Sequence, residues 1–325
     1  MPKLALYIDG NTPVATDMFD PVAIGELELE MNRKGQPSCL RFSVAKDTMI
    51  DFVEGQAVRL EVDKAKMFFG FVFTKTRTKE GIIHVECYDQ MKYLVMNKLK
   101  FAKYDMSATE VIQELAGAYG LQLGSIADTG HKIEFINEDG SSLMDIIQNA
   151  LAETTVHTGE LFVLYDEFGK LTLKSVKEMH LDFMIDQDTG EDYDYTSSIE
   201  EQTYNTVILY YTDKETGEEQ VFVKKNAENI KQWGIISYFE NVNTPIGADA
   251  KASALLKLYD AKTRKLTLKN ALGNTSVFAG CSIGILLNLG DILVSQMMMV
   301  NSVKHRFHEN YHFMDVNMVG GEFIA

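Results

Sequence analysis

Residues 277–320 read VFAGCSIGILLNLGDILVSQMMMVNSVKHRFHENYHFMDVNMVG, and the fold follows from how this stretch alternates. Counted from Gly280, apolar side chains fall at the third, fifth and seventh positions, Ile283, Ile285 and Leu287. A period of two puts all three on one face of a β-strand. A further run, 300–308, turns at Glu309 and Asn310 into 311–318, the pattern of a hairpin. The same arrangement stands near the start of the chain. Counted from Gly55, Val58, Leu60 and Val62 hold the same three positions, and 69–79 turns at Glu80 and Gly81 into 82–88. The sequence predicts two copies of one β module, each opened by a turn glycine, Gly55 or Gly280.

Working outward, residues 25–31 (GELELEM) alternate, with Glu26, Glu28 and Glu30 on one face and Leu27, Leu29 and Met31 on the other. After a loop with Gly35 and Pro37, Leu40, Phe42 and Val44 alternate again, giving a hairpin with one wet, acidic face. From 107 the period changes to about 3.6. Ser107 and Glu110 form a capping-box pattern ahead of Val111, Ile112, Leu115, Ala116 and Tyr119, and Gly120 stops the helix. A second helix follows Ser142, and strands on either side of Glu167-Phe168-Gly169 pair behind it. The run 186–201 holds seven carboxylates and no basic residue. Strands resume at 206–211 and 220–223, and one amphipathic helix aligns Ala252, Leu255, Leu256 and Tyr259. The expected fold class is α+β, mainly β. It divides into a first β-barrel over 1–100, an α+β insertion over 101–185, an acidic linker over 186–200, and a second β-barrel with one helix over 201–325.

A chain of 325 residues exceeds the size at which one core stops growing, so two or three domains are expected. The balance of 47 acidic against 31 basic side chains gives −16, spread along the chain. That argues against direct nucleic-acid or anionic-membrane binding, which needs clustered Lys and Arg. Cys39, Cys87 and Cys281 lack any C-x-x-C spacing, so neither a disulfide framework nor a zinc site is indicated, and folding in a reducing cytosol is expected. Asp9 interrupts any signal-peptide core, and no apolar run approaches the ~18 residues of a membrane span.

Several constellations invite a catalytic reading. Gly280-Cys-Ser282-Ile-Gly284 matches the G-x-S-x-G elbow, with Asp291 and His305 following in hydrolase order. That elbow needs a strand-to-helix turn, whereas here a strand follows, and the counterpart of Ser282 in the first module is Ala57. The strand reading is the stronger. His305, His308 and His312, with Glu309 and Asp315, suggest a metal, but on a hairpin they distribute over a turn and two arms. The segment Asp186-Gln-Asp188-Thr-Gly190 departs from a calcium loop, having Gly at the fifth position and Ser197 at the twelfth. Glu26, Glu28 and Glu30 read as a wet strand face before they read as glycosidase carboxylates. No phosphate-binding glycine loop is present, and Trp233 is the one tryptophan, which leaves a sugar-binding platform to tyrosines. No catalytic residue, metal ligand or cofactor is expected.

Four segments together resemble a known family: SATEVIQELAGAYGL at 107–121, SSLMDIIQNALAETTVHTGELFVLYDEFGKLTL at 141–173, SIEEQTYNTVIL at 198–209 and MVNSVKHRFHENYHFMDVNMVGG at 299–321. They resemble the XkdQ/YqbQ-type proteins of PBSX-like defective phages and myophages, which are related to the hub proteins of contractile tails. The resemblance covers nearly the whole chain, and its specificity lies in order and spacing rather than in a catalytic signature. It implies a non-enzymatic baseplate hub with two tail-tube-like barrels and an inserted α+β domain. Such a hub is a homotrimer between a sixfold tail tube and a threefold central spike, touching other baseplate proteins and the tape-measure protein, in a virion tail or a phage-tail-like particle. Glu26, Glu28 and Glu30 are then candidate lumen residues. The other reading is a cell-wall hydrolase or peptidase of the same particle. No lysozyme-like region is seen that would support it.

Overall fold

The computed structural model describes residues 3–8, 12–15, 25–45, 52–186, 192–213, 215–289, 293–309 and 311–320. The chain is mainly β. The first β unit contains β1 (Leu4–Ile8), β2 (Thr12–Ala15), β3 (Leu27–Asn32), β4 (Cys39–Ala45), β5 (Ala57–Val62), β6 (Ala65–Arg77) and β7 (Ile82–Tyr88). They pair in the order β3-β4-β7-β6-β5-β1-β2. Alternate residues from both ends of that order, among them Leu4, Leu6, Leu29, Leu40, Val58 and Leu60, enter one core. A sheet whose distant strands share a core must curl upon itself.

Next comes the insertion, with α1 (Met91–Met96), β8 (Lys98–Ser107), α2 (Ala108–Ala118), β9 (Leu123–Ile126), β10 (Lys132–Ser142), α3 (Leu143–Thr158), β11 (Phe162–Asp166) and β12 (Leu171–Ser175). Both longer helices begin in capping boxes. The Ser107 N–H donates to Glu110 at 2.7 Å and the Glu110 N–H donates to the Ser107 hydroxyl; Ser142 and Asp145 repeat the exchange. Each cap contributes about 1 kcal/mol. The insertion starts before the expected residue 101, because Met91 and Leu94 of α1 are buried in its core rather than in the preceding one.

The second β unit is assembled from two separated stretches. β13 (His180–Ile185) and β14 (Asp192–Ser198) come first. A small unit intervenes, made of β15 (Thr206–Thr212), β16 (Glu219–Lys225), α4 (Ala227–Trp233), β17 (Ser237–Asn241) and α5 (Ala248–Tyr259). Then β18 (Thr263–Leu272), β19 (Ser282–Asn288), β20 (Leu293–His308) and β21 (Tyr311–Gly320) complete the sheet.

Three expectations change here. The stretch expected as an acidic linker contains β14, paired along its whole length with β18, because Tyr193 and Tyr195 alternate with the carboxylates and Lys269 lies 3.9 Å from both Asp192 and Asp194. The calcium-loop candidate at 186–190 falls, apart from Asp186, outside the described residues. β13 pairs with β19, so 180–185 belongs to the second sheet and not to the insertion. Among the described residues the region after 201 holds two helices rather than one, and its strands β16-β15-β17 form their own sheet, with Val207, Leu209, Ala252 and Leu255 as a separate core.

Strand for strand, β1, β5, β6, β7, β4 and β3 correspond to β13, β19, β20, β21, β18 and β14. The turn glycines anchor the match. The Gly55 N–H donates to the Val72 carbonyl at 2.8 Å and the Val72 N–H to that of Gln56 at 2.9 Å; Gly280, Val300 and Cys281 repeat both bonds at 2.8 Å. Both glycines have positive φ, 88° and 100°, a conformation that glycine adopts without a steric penalty. A bulge then follows at the same place, between Val72 and Thr74 on β6 and between Val300 and Ser302 on β20. One strand differs: β1 lies antiparallel to β5, whereas β13 lies parallel to β19.

The two units are joined edge to edge. The second half of β20 pairs with β3, from Ser302 opposite Asn32 to Phe307 opposite Leu27, which makes one 13-stranded sheet. Phe307 crosses into the first core, and Met31 packs against both.

Candidate functional site

Since Leu27 and Leu29 point into the core, Glu28 and Glu30 stand on the opposite face of the sheet. This face runs without interruption across β7, β4, β3, β20 and β21. Its charges come in pairs. Lys304 of β20 lies 3.7 Å from Glu28 across the junction, and Arg41 reaches both Glu30 at 3.2 Å and Glu86 at 2.9 Å. Arg306 holds Asp315 at 3.1 Å. Partial burial pushes the Glu86 carboxyl up, but the Arg41 guanidinium outweighs it and holds the group below its usual range. The face expected to be acidic is therefore charge-compensated at Glu28 and Glu30, while Glu26 at its rim is exposed. Half-exposed pairs of this kind contribute less than about 1 kcal/mol each.

Two of the flanks that stay open among the described residues stand at equivalent places in the two units. β14 pairs only with β18, and β6 beyond Val72 pairs only with β7. Unpaired strand flanks are templates for a further strand.

The hydrolase and metal candidates resolve differently. Ser282 is buried on β19, its backbone N–H bonds to Met179 at 2.8 Å, and its hydroxyl has no hydrogen-bond partner among the described residues. The His305 ring is committed elsewhere. Its Nδ1 lies 2.9 Å from His312 Nε2, and its Nε2 lies 2.9 Å from the Val277 carbonyl. No nucleophile–base pair forms between Ser282 and His305, and Asp291 lies outside the described residues. Burial and then the neighbouring His312 bring His305 down to about 3; burial brings His312 down to about 4, with Asp63 opposing. Both rings favour the neutral form, His305 fully buried and His312 half-buried. His308 stands apart at the strand end, 3.9 Å from Glu309.

The structure also brings together groups that the sequence left unremarked. Asp89 and Asp166 meet where the first unit abuts the insertion, beside a cleft of about 410 Å³ lined by Met31, Lys66, Tyr165 and Phe278. Burial raises both carboxyls, Asp89 further because Asp166 is close. Asp89 accepts the N–H groups of Ser38 at 2.8 Å and Met91 at 2.9 Å, and Asp166 accepts that of Gly169 at 2.6 Å. The first two bonds tie the β3–β4 connection to the start of α1, and the third closes the β11–β12 turn. A lone Asp at a strand end carries no periodic signal, and the partners are far apart in sequence.

No helix among the described residues is long and apolar enough to cross a membrane. A family profile described as YQBQ-like matches residues 27–319. The chain is 26% identical over 304 residues to the phage-like element PBSX protein XkdQ of Bacillus subtilis, covering 90% of this chain and 91% of that one. Among solved structures, the 43 kDa tail protein of prophage MuSo2 from Shewanella oneidensis superposes with a TM-score of 0.71 at 11% identity, covering 97% of this chain and 98% of the other. The c3393 protein of E. coli, a component of the type VI secretion system described as similar to the T4 tail proteins gp27 and gp5, gives 0.57 at 10% identity over 98% and 78%. With most of its length matched by the profile, and with a fold shared with the prophage tail protein, the chain belongs to the YQBQ-like family.

Proposed function

We propose that this protein is a non-enzymatic baseplate hub, a homotrimer that adapts a sixfold tail tube to a threefold central spike. The observation that carries the reading is the β3–β20 junction and its empty counterpart. By the correspondence of the two units, β14 is the equivalent of β3, and β6 is the equivalent of β20. Within the chain β3 fills the flank of β20 beyond the bulge; the flank of β6 beyond Val72 and the edge of β14 are the two surfaces that the same pairing would use. One molecule cannot satisfy both with the geometry it uses once, but a ring of copies can, each lending β14 to the β6 of the next. Three chains with two units each then present six similar units around a channel, a closed head-to-tail assembly.

In this reading the continuous polar face with Glu26, Glu28 and Glu30 lines the channel, where compensated charges let DNA or a tape-measure protein slide without adhesion. The tube, spike and neighbouring baseplate proteins are the partners. Assembly takes place in the bacterial cytoplasm, and the protein ends in a tail or tail-like particle. The domains of this reading are two tube-like β units, an insertion near 91–179 and a small unit near 203–260.

The test is a paired-cysteine crosslink in the assembled particle. Leu29 faces His305 at the junction, and the equivalent positions are Tyr195 and Arg77. The three native cysteines are buried, so a Tyr195→Cys, Arg77→Cys double variant has little background. Covalent trimers on a non-reducing gel are expected. Particles whose density shows a copy number other than three, or a double variant that stays uncrosslinked in an intact particle, would overturn the proposal.

A further inference from the structure

Away from the sheet face, the insertion gathers three donors that the tail-hub reading does not use. Glu153 and His157 lie four residues apart on α3, so they share one face of the helix. His131 comes from the loop ahead of β10. Donor atoms of the three lie within 4.8 Å of one another. The His131 and His157 rings stack with centroids 4.1 Å apart and 17° between their planes. His131 Nε2 is buried and has no hydrogen-bond partner among the described residues, although buried polar atoms are ordinarily paired.

The position of His131 is fixed by the loop that carries it. The Thr109 hydroxyl donates to the Ala127 carbonyl at 2.8 Å, the Thr129 N–H donates to Thr109 Oγ1 at 2.9 Å, and the His131 N–H donates to the Thr129 carbonyl at 2.7 Å. Burial, and then the adjacent His157, lower the pKa of His131 and favour its neutral ring. A neutral imidazole is the form that ligates metal. Two imidazoles and one carboxylate suit a borderline cation such as zinc, whereas magnesium and calcium prefer oxygen throughout.

We propose that His131, Glu153 and His157 form a binding site for a zinc-class divalent transition metal, which clasps the C-terminal half of α3 to the loop ahead of β10. Three protein ligands leave a fourth tetrahedral position for water. His157 is exposed and free to turn its ring from stacking into coordination. The clasp has a structural consequence, because Val156, between the two halves of the site, packs against the core of the small β15–β17 unit. The proposal is independent of the oligomeric reading.

The experiment uses the full chain, stripped with a chelator and titrated with zinc chloride against a chromophoric competitor, with thermal unfolding read in parallel. One equivalent of zinc should bind and raise the unfolding temperature, and magnesium should do neither. His157→Gln and Glu153→Gln, both at exposed positions, should keep the far-ultraviolet spectrum and lower zinc affinity at least about tenfold, a loss that even supporting residues around metals reach. His308→Gln, on the distant hairpin, should bind as the wild type does. A wild-type chain that takes up no zinc, or His157→Gln and Glu153→Gln variants that bind as tightly as wild type, would overturn the site.

Discussion

Gly55 and Gly280 open the same turn with the same hydrogen bonds, yet their surroundings differ. A Cβ on Gly55 would meet nothing within 4 Å; on Gly280 it would lie 2.9 Å from Val163 Cγ1 and 3.0 Å from Met179 Cε. The repeat supplies the turn, and the neighbourhood decides how much depends on it. In the second unit Val163, Val176 and Met179 pack with Met299 of β20 beside the turn, a small core with no counterpart at Gly55 among the described residues. Gly280→Ala should therefore lower stability by about 3 kcal/mol, overpacking being added to backbone strain. Gly55→Ala should lower it by about 1 kcal/mol from the backbone alone. Denaturant unfolding of the two variants reads the difference directly, and equal losses would erase the distinction.

The units should also respond oppositely to acid. In the second, His305 and His312 have folded pKa values near 3 and 4, below the ordinary 6.5. The unfolded chain then binds more protons, so the stability they allow is present above about pH 6.5 and is lost as pH falls toward 4. At the first unit's junction, Asp89 and Asp166 are raised, so the folded state binds more protons there, and stability is greatest in mild acid and falls as pH rises. Hydrogen-exchange protection between pH 7.5 and 5 should drop along β20 and β21 and rise around Asp89 and Gly169. Protection moving in one direction at both places would break the contrast.

The smallest effects belong to the shared polar face. Arg41→Ala within the first unit and Lys304→Ala at the junction should each change stability by less than about 1 kcal/mol, since their ion pairs are half-exposed. A loss of several kcal/mol for Lys304→Ala alone would mean that charge, and not strand pairing, holds the units together.

Much of this architecture was legible before any coordinates. The alternation at Val58, Leu60, Val62 and at Ile283, Ile285, Leu287 gave six side chains that are all buried, and both capping boxes mark real helix starts. Local signals of this sort survive because period and cap are set by adjacent residues. What stayed hidden depended on distance. Nothing in the segment of Leu29 indicates that it lies beside His305, and β14 was masked because its carboxylates imitate a loop until Lys269 is seen beside them. Helix α4 is too short to display a period. Glu153 and His157 carried a readable four-residue spacing, but His131 completes their cluster only through the fold.

The length of β20 has a mechanical consequence. This strand of 16 residues is bonded to β19 along its first half and to β3 along its second, with β21 on its other flank. A pull along its axis is borne in shear by the six residue pairs facing β3 at once, whereas a pull across the sheet would open the same pairs one after another. A thrust directed along β20 therefore passes from one unit to the other as if through a single beam, and the weak direction of the molecule lies at right angles to it.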